Sequence, residues 1–84
     1  MANVILYGTR HCGYCRRARG LLNELGVEYE DIPVDGNPEL RKTMEELTGG
    51  YTVPQILIND KPIGGCDDLF ALHQSGDLQA LLSN

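Results

Sequence analysis

The stretch Asn3-Val4-Ile5-Leu6-Tyr7-Gly8-Thr9-Arg10-His11-Cys12-Gly13-Tyr14-Cys15-Arg16-Arg17-Ala18 decides the fold of this chain. Asn3 to Tyr7 is a β-branched and aromatic run closed by Gly8, which predicts a central parallel strand covered on both faces. From Gly13 to Leu25 the apolar residues Ala18, Leu21, Leu22 and Leu25 recur at helical spacing, arginines take the other face, and Gly26 supplies a left-handed stop. Cys12 and Cys15 therefore open a helix at the end of a strand, and that context gives the Cys-x-x-Cys spacing its meaning.

One helical turn brings the two sulfurs onto one face, within the Cα separation that a disulfide tolerates. The chemistry needs a thiolate. Cys12 stands at the helix start, where free N–H groups, the macrodipole and the neighbouring arginines favour negative charge. Cys15 lies one turn deeper and nearer the core, so it is expected to stay protonated until it resolves a mixed disulfide. Cys12 is the expected nucleophile and Cys15 the resolving thiol.

Outward from this stretch, Val27 to Val34 carries Val27, Tyr29, Ile32 and Val34 among acids, a half-exposed strand that Pro33 pushes toward the sheet edge. Asn37 caps a second helix with Pro38 and Glu39 in its first turn, a stripe of Leu40, Met44 and Leu47, and a stop at Gly49-Gly50. Val53 to Ile58 is a strand, Asn59-Asp60 a tight turn, and Lys61 to Ile63 the returning strand of a hairpin. After Gly64-Gly65, Asp67 and Asp68 begin a helix that stops at Gly76, and a short last helix runs through Leu78, Leu81 and Leu82. The order βαβαββαα is that of an α/β fold with a four-stranded mixed sheet flanked by helices.

Length and composition set the outer limits. With 84 residues, 42% hydrophobic and 23% charged, residues 1–84 are expected to form a single packed domain. The apolar runs are too short for a membrane span or a signal peptide, and three cysteines are too few for a secreted disulfide framework, so a reducing, cytoplasmic setting is expected. A net charge of −5 argues against a nucleic-acid partner. The charge is uneven: Arg10, Arg16, Arg17 and Arg19 give residues 10–19 a charge of +4 and leave −9 for the rest. The competing reading of the cysteines is a zinc site completed by Cys66 with His11 or His73, but zinc pairs usually sit in turns between short strands, and no second closely spaced pair is present.

Taken together with Thr52-Val53-Pro54 and Gly64-Gly65-Cys66-Asp67-Asp68, the Cys12-Gly13-Tyr14-Cys15 site makes the sequence resemble the dithiol glutaredoxins over nearly its whole length. The resemblance implies a thioredoxin-like fold in which Pro54 is cis and faces the cysteine pair. It also implies a monomeric, glutathione-dependent thiol-disulfide oxidoreductase whose partners are glutathione and disulfide-bearing or glutathionylated proteins. In such a protein the Val53 backbone bonds the main chain of glutathione. The N–H groups of Cys66 and Asp67, with Gly65 allowing close approach, hold the γ-glutamyl carboxylate. Asp67 or Asp68 pairs with the γ-glutamyl ammonium, although helix capping accounts equally well for these acids. Arg41 is expected at the glycine-end carboxylate, with a solvated helix face as its alternative. Thr52 and Arg10 complete the expected glutathione-binding set, and Tyr14 either flanks the ligand or packs on its loop. Cys66 lies beside the ligand or serves as a small core residue.

Two positions depart from the family pattern. Gly13 stands where proline usually follows the attacking cysteine, which loosens the first helical turn and restores an N–H. Some members lacking that proline hold a two-iron two-sulfur cluster between two protomers, each giving its first cysteine and a glutathione thiolate. The resemblance thus carries an alternative, a cluster-bridged carrier or sensor with Cys12 as the iron ligand. Thr9 stands where a lysine is usual, with Arg10 or Gly8 as compensation. His11, next to the nucleophile, either modulates it or is an exposed loop residue.

Overall fold

A computed structural model describes residues 2–83. The elements are β1 (Val4–Gly8), α1 (Gly13–Glu24), β2 (Glu30–Pro33), α2 (Pro38–Thr48), β3 (Gln55–Ile58), β4 (Lys61–Gly64), α3 (Cys66–Ser75) and α4 (Asp77–Leu82). They form a four-stranded sheet in the order β2-β1-β3-β4. β1 runs parallel to β2, with Tyr7 opposite Ile32, and antiparallel to β3, with Leu6 opposite Ile56. β3 and β4 form the hairpin, with an irregularity between Ile56 and Leu57.

Alternation along β1 and β3 divides the apolar side chains between the sheet's two faces. On one face Val4, Leu6, Ile56 and Ile58 pack with Ala18, Leu21 and Leu22 of α1, Cys66 and Leu69 of α3, and Leu78 of α4. On the other, Tyr7 and Leu57 pack with Val34 and with Met44 of α2. The uninterrupted apolar runs in the two central strands exist because both faces are covered.

Local chemistry fixes the ends of the elements. The side chain of Asn37 accepts the Leu40 N–H at 3.1 Å, Pro38 follows it, and Gly49 ends α2 with φ 76°. Asn59 and Asp60 both take positive φ, 52° and 67°, in the two-residue turn of the hairpin. Asn59 is also tied to the first residues, accepting the Asn3 N–H on its side chain at 2.9 Å and donating its own N–H to the Asn3 carbonyl at 2.8 Å.

The sheet departs from the sequence expectation at two strand starts. β2 begins at Glu30 and not at Val27, because the Val27 N–H goes back to the Leu22 carbonyl at 3.0 Å while Val27 and Tyr29 pack against the core from outside the ladder. β3 begins at Gln55, after Pro54, which has no N–H to give the ladder. Leu47, expected in the buried stripe of α2, is 53% exposed, since the small second cluster is filled by Met44 with Leu40 at its margin.

Candidate active site

The site sits where β1 hands over to α1. Cys12 is the N-cap of α1, in extended conformation at φ −117° and ψ 111°, and its Sγ accepts the Cys15 N–H at 3.1 Å. A serine or aspartate oxygen at an N-cap satisfies one of the orphan N–H groups of the first turn, and here a sulfur does so. The Cys12 thiol also faces the Val53 carbonyl at 3.8 Å, so it touches the loop that leads into β3. Cys12 is partly exposed, whereas Cys15 and Cys66 are buried, and all three are free thiols.

Burial pushes the Cys15 thiol up to about 11, helped by its hydrogen bond with Cys12 and opposed by the Thr9 main chain and the Arg19 guanidinium. Burial likewise raises Cys66, against the pull of Arg17. The two buried sulfurs are therefore held as thiols, and Cys12 alone combines exposure with a backbone donor aimed at its sulfur.

Beside Cys12 runs a groove of about 490 Å³ lined by Tyr14, Thr52, Val53, Pro54, Gln55, Gly64, Gly65, Cys66, Asp67 and Asp68. The Val53–Pro54 bond on its floor is cis, and Val53 stands outside the ladder, which begins at Gln55. Across from it, Gly65 caps α3, and its N–H donates to the Asp68 carboxylate at 3.0 Å. Gly64 has φ 107°, and any Cβ there would collide with that carboxylate. The N-terminal turn of α3 thus faces the groove with acids at Asp67 and Asp68.

Of the residues singled out in the sequence, eight line this one groove: Tyr14, Thr52, Val53, Pro54, Gly65, Cys66, Asp67 and Asp68. Tyr14 is 58% exposed at its rim. Asp68 serves as a helix cap, which leaves Asp67 as the acid without that duty. Arg41 lies outside the lining; its guanidinium donates to the Tyr51 carbonyl at 3.1 Å and steadies the loop just before Thr52. Arg10 is also outside, and its main-chain N–H donates to Asp35 at 3.0 Å. That bond is the main reason the Asp35 carboxyl lies below its usual range.

Two contributors were not among the expected site residues. Gln55 is buried and polar, and its amide donates to the Thr52 carbonyl at 3.0 Å, bracing the turn around Pro54. A lone amide at the head of an apolar strand was the available signal. Arg19, counted only in the arginine window, reaches the Thr9 carbonyl with both terminal nitrogens at 3.4 Å and pairs with Asp31 at 3.0 Å. A cation thus reaches the Thr9 main chain from α1, while the Arg10 N–H is turned to Asp35.

Among the described residues no group of three or more His, Cys, Asp or Glu side chains is placed to hold a metal ion. With Cys15 and Cys66 buried, Cys12 is the one accessible sulfur donor, so a cluster there would need its remaining ligands from outside the chain. No helix among the described residues is long and apolar enough to cross a membrane.

Comparison with known proteins gives this geometry its context. The glutaredoxin family model matches residues 4–63. A glutaredoxin of Pseudomonas aeruginosa is 49% identical over 83 residues, which is 99% of each chain. Glutaredoxin 3 of Escherichia coli K12 is 49% identical over 82 residues, covering 98% of this chain and 99% of that one. Among solved structures, a buckwheat glutaredoxin-glutathione complex superposes with a TM-score of 0.88 at 32% identity, covering 98% of this chain and 77% of that chain.

Proposed function

The chain belongs to the glutaredoxin family of thiol-disulfide oxidoreductases with a thioredoxin-like fold, and from that premise we propose that it uses glutathione as co-substrate, with Cys12 as nucleophile and Cys15 as resolving thiol. The observation that carries this reading is the Cys12 sulfur capped by the Cys15 N–H at the mouth of a groove bounded by Pro54 and Gly65.

The Cys12 thiolate attacks one sulfur of a disulfide, forming a mixed disulfide and expelling the other sulfur as a thiolate that takes a proton from solvent. With a glutathionylated protein, glutathione is retained on Cys12 and the protein thiol leaves; a second glutathione thiolate then attacks the glutathione sulfur, giving oxidised glutathione and freeing Cys12. With a protein disulfide, Cys15 attacks the Cys12 sulfur of the mixed disulfide, the Cys12–Cys15 bond forms as the Cys12–substrate bond breaks, and the substrate leaves as a thiolate that solvent protonates; two glutathione molecules then reduce the Cys12–Cys15 bond and leave as oxidised glutathione.

Several features support glutathione as the groove's occupant. The main chain of Val53 is free of the ladder to bond an extended peptide, and the first N–H groups of α3, at Cys66 and Asp67, offer an anion site. Asp67 is the better placed partner for the ligand's ammonium because Asp68 already holds the Gly65 N–H. Thr52 and Tyr14 line the flanks, and Arg41 and Arg10, which lie outside the lining, are assigned to the ligand's far carboxylate. The buckwheat relative, whose structure is a complex with glutathione, supports the same occupant.

The protein acts as a monomeric domain over residues 1–84, working in the cytoplasm on glutathionylated and disulfide-bearing proteins, without nucleic-acid or membrane partners. A deglutathionylation assay tests it: Cys12→Ser abolishes turnover, and Cys15→Ser keeps the mixed-disulfide reaction while losing protein-disulfide reduction. Activity persisting in Cys12→Ser would reject the assignment. Anaerobic purification with glutathione decides the alternative, because a coloured dimer with weak exchange activity would favour a cluster carrier over an enzyme.

A further inference from the structure

Cys15 is fully buried at 0% exposure, yet it must lose a proton to attack Cys12. The groups that face it are Cys12 from the head of α1, the Thr9 main chain from the loop after β1, and the Arg19 guanidinium one turn along α1. Asp31 of β2 stands behind that guanidinium.

The placement of Arg19 is tightly determined. Its Nε bonds the Asp31 carboxylate at 3.0 Å, its terminal nitrogens reach the Thr9 carbonyl at 3.4 Å, and its side chain is only 22% exposed. A Cβ built on Gly8 would stand 2.9 Å from the Arg19 Nη2 and 3.1 Å from the Cys15 Sγ. The missing side chain of Gly8 is therefore what lets cation and thiol share one corner of the site.

We propose that Arg19, pinned by Asp31 and the Thr9 carbonyl, is a positioning residue that keeps positive charge beside the Cys15 sulfur and so sets how fast Cys15 expels a substrate held on Cys12. The inference rests on the assignment of Cys12 and Cys15 given above. In the step concerned, Cys15 gives its proton to solvent and its Sγ attacks Cys12. The Cys12–Cys15 bond forms, the Cys12–substrate bond breaks, and the substrate leaves as a thiolate that solvent reprotonates. Arg19 offsets the negative charge on Cys15 before attack. Asp31 holds the guanidinium in place but partly neutralises it.

This arrangement predicts opposite signs for two substitutions that break the same ion pair. Loss of a nearby cation shifts a thiol by about one pKa unit, which lowers the thiolate fraction about tenfold. The gain in intrinsic nucleophilicity returns about threefold of that, so the net effect is a slowing of about threefold to fourfold. Arg19→Gln therefore slows resolution, Arg19→Lys stays within about twofold of the parent, and Asp31→Asn, which keeps an acceptor for Arg19 but removes the neutralising charge, speeds it up.

Dithiodipyridine under single turnover reads both steps, because its first pyridinethione is released when Cys12 is captured and its second when Cys15 resolves. The expected result is an unchanged first phase with a second phase slowed in Arg19→Gln, restored in Arg19→Lys and accelerated in Asp31→Asn. Equal second phases, or slowing in Asp31→Asn as in Arg19→Gln, would overturn the inference, the latter by marking the ion pair as merely structural. If Arg19→Gln does not fold, the sign of the Asp31→Asn effect decides alone. Absence of the first phase in the parent protein would instead bring down the assignment of Cys12, and this inference with it.

Discussion

The main-chain N–H of Cys15 points at the sulfur of Cys12 from 3.1 Å, so Cys15 holds the Cys12 sulfur through its backbone while its own thiol stays buried. One helical turn thus carries two cysteines in two environments, the first open to solvent and the second buried.

Selective alkylation follows from that difference. At neutral pH iodoacetamide is expected to modify Cys12 in the reduced, folded protein and to leave Cys15 and Cys66 intact, because burial both shields these two and keeps them protonated. Intact-mass and peptide mass spectrometry would show one adduct, and rapid labelling of Cys15 would contradict the site as described.

Alkaline pH is expected to weaken the reduced protein through Cys15. Its folded value of about 11 lies above the reference of 9.0, so the unfolded chain releases this proton first. The contribution is complete below the unfolded value and fades as pH rises from about 9 toward 11. Urea midpoints at pH 7 and pH 10.5 should fall further for the parent than for Cys15→Ser, and equal falls would count against the burial of this thiol.

Asp35 carries the opposite dependence. The Arg10 N–H lowers its carboxyl, so its contribution is present above the unfolded carboxyl range of about 4 and is lost as pH falls through the lower folded value. Asp35→Asn should therefore show a smaller loss of Tm than the parent between pH 5 and pH 2.

Gly64 tests the wall of the groove. At φ 107°, and with the Asp68 carboxylate filling the space of a Cβ, Gly64→Ala is expected to cost about 1–3 kcal/mol and to raise KM for a glutathionylated peptide by disturbing the cap of α3. A control, Gly20→Ala on the open face of α1, where nothing lies within 4 Å, should cost nothing and gain helix propensity.

Much of this was legible in the residues. The apolar run at Val4 to Tyr7, the helical recurrence after Cys15 and the turn at Asn59-Asp60 are local signals, and each produced its element. The start of β2 was not, because Val27 and Tyr29 have strand-like side chains whose burial comes from packing on α1 and its neighbours and not from ladder bonds. The groove was anticipated through the family resemblance, which set Thr52 to Pro54 and Gly64 to Asp68 beside the cysteine pair; the residues alone allowed a trans proline and plain helix caps. The roles of Arg19 and Gln55 were not anticipated, since they depend on partners brought in by tertiary folding: Asp31 and Thr9 for one, Thr52 for the other.

The two outer strands of the sheet, Glu30–Pro33 and Lys61–Gly64, each pair on one side only, and each contains a proline and at least one charged residue. A neighbouring molecule that tried to extend the sheet would meet a missing donor and a side chain that resists losing water on either flank. The fold therefore seals its own borders against fibre growth, and it does so at the strands that flank the two carrying the core.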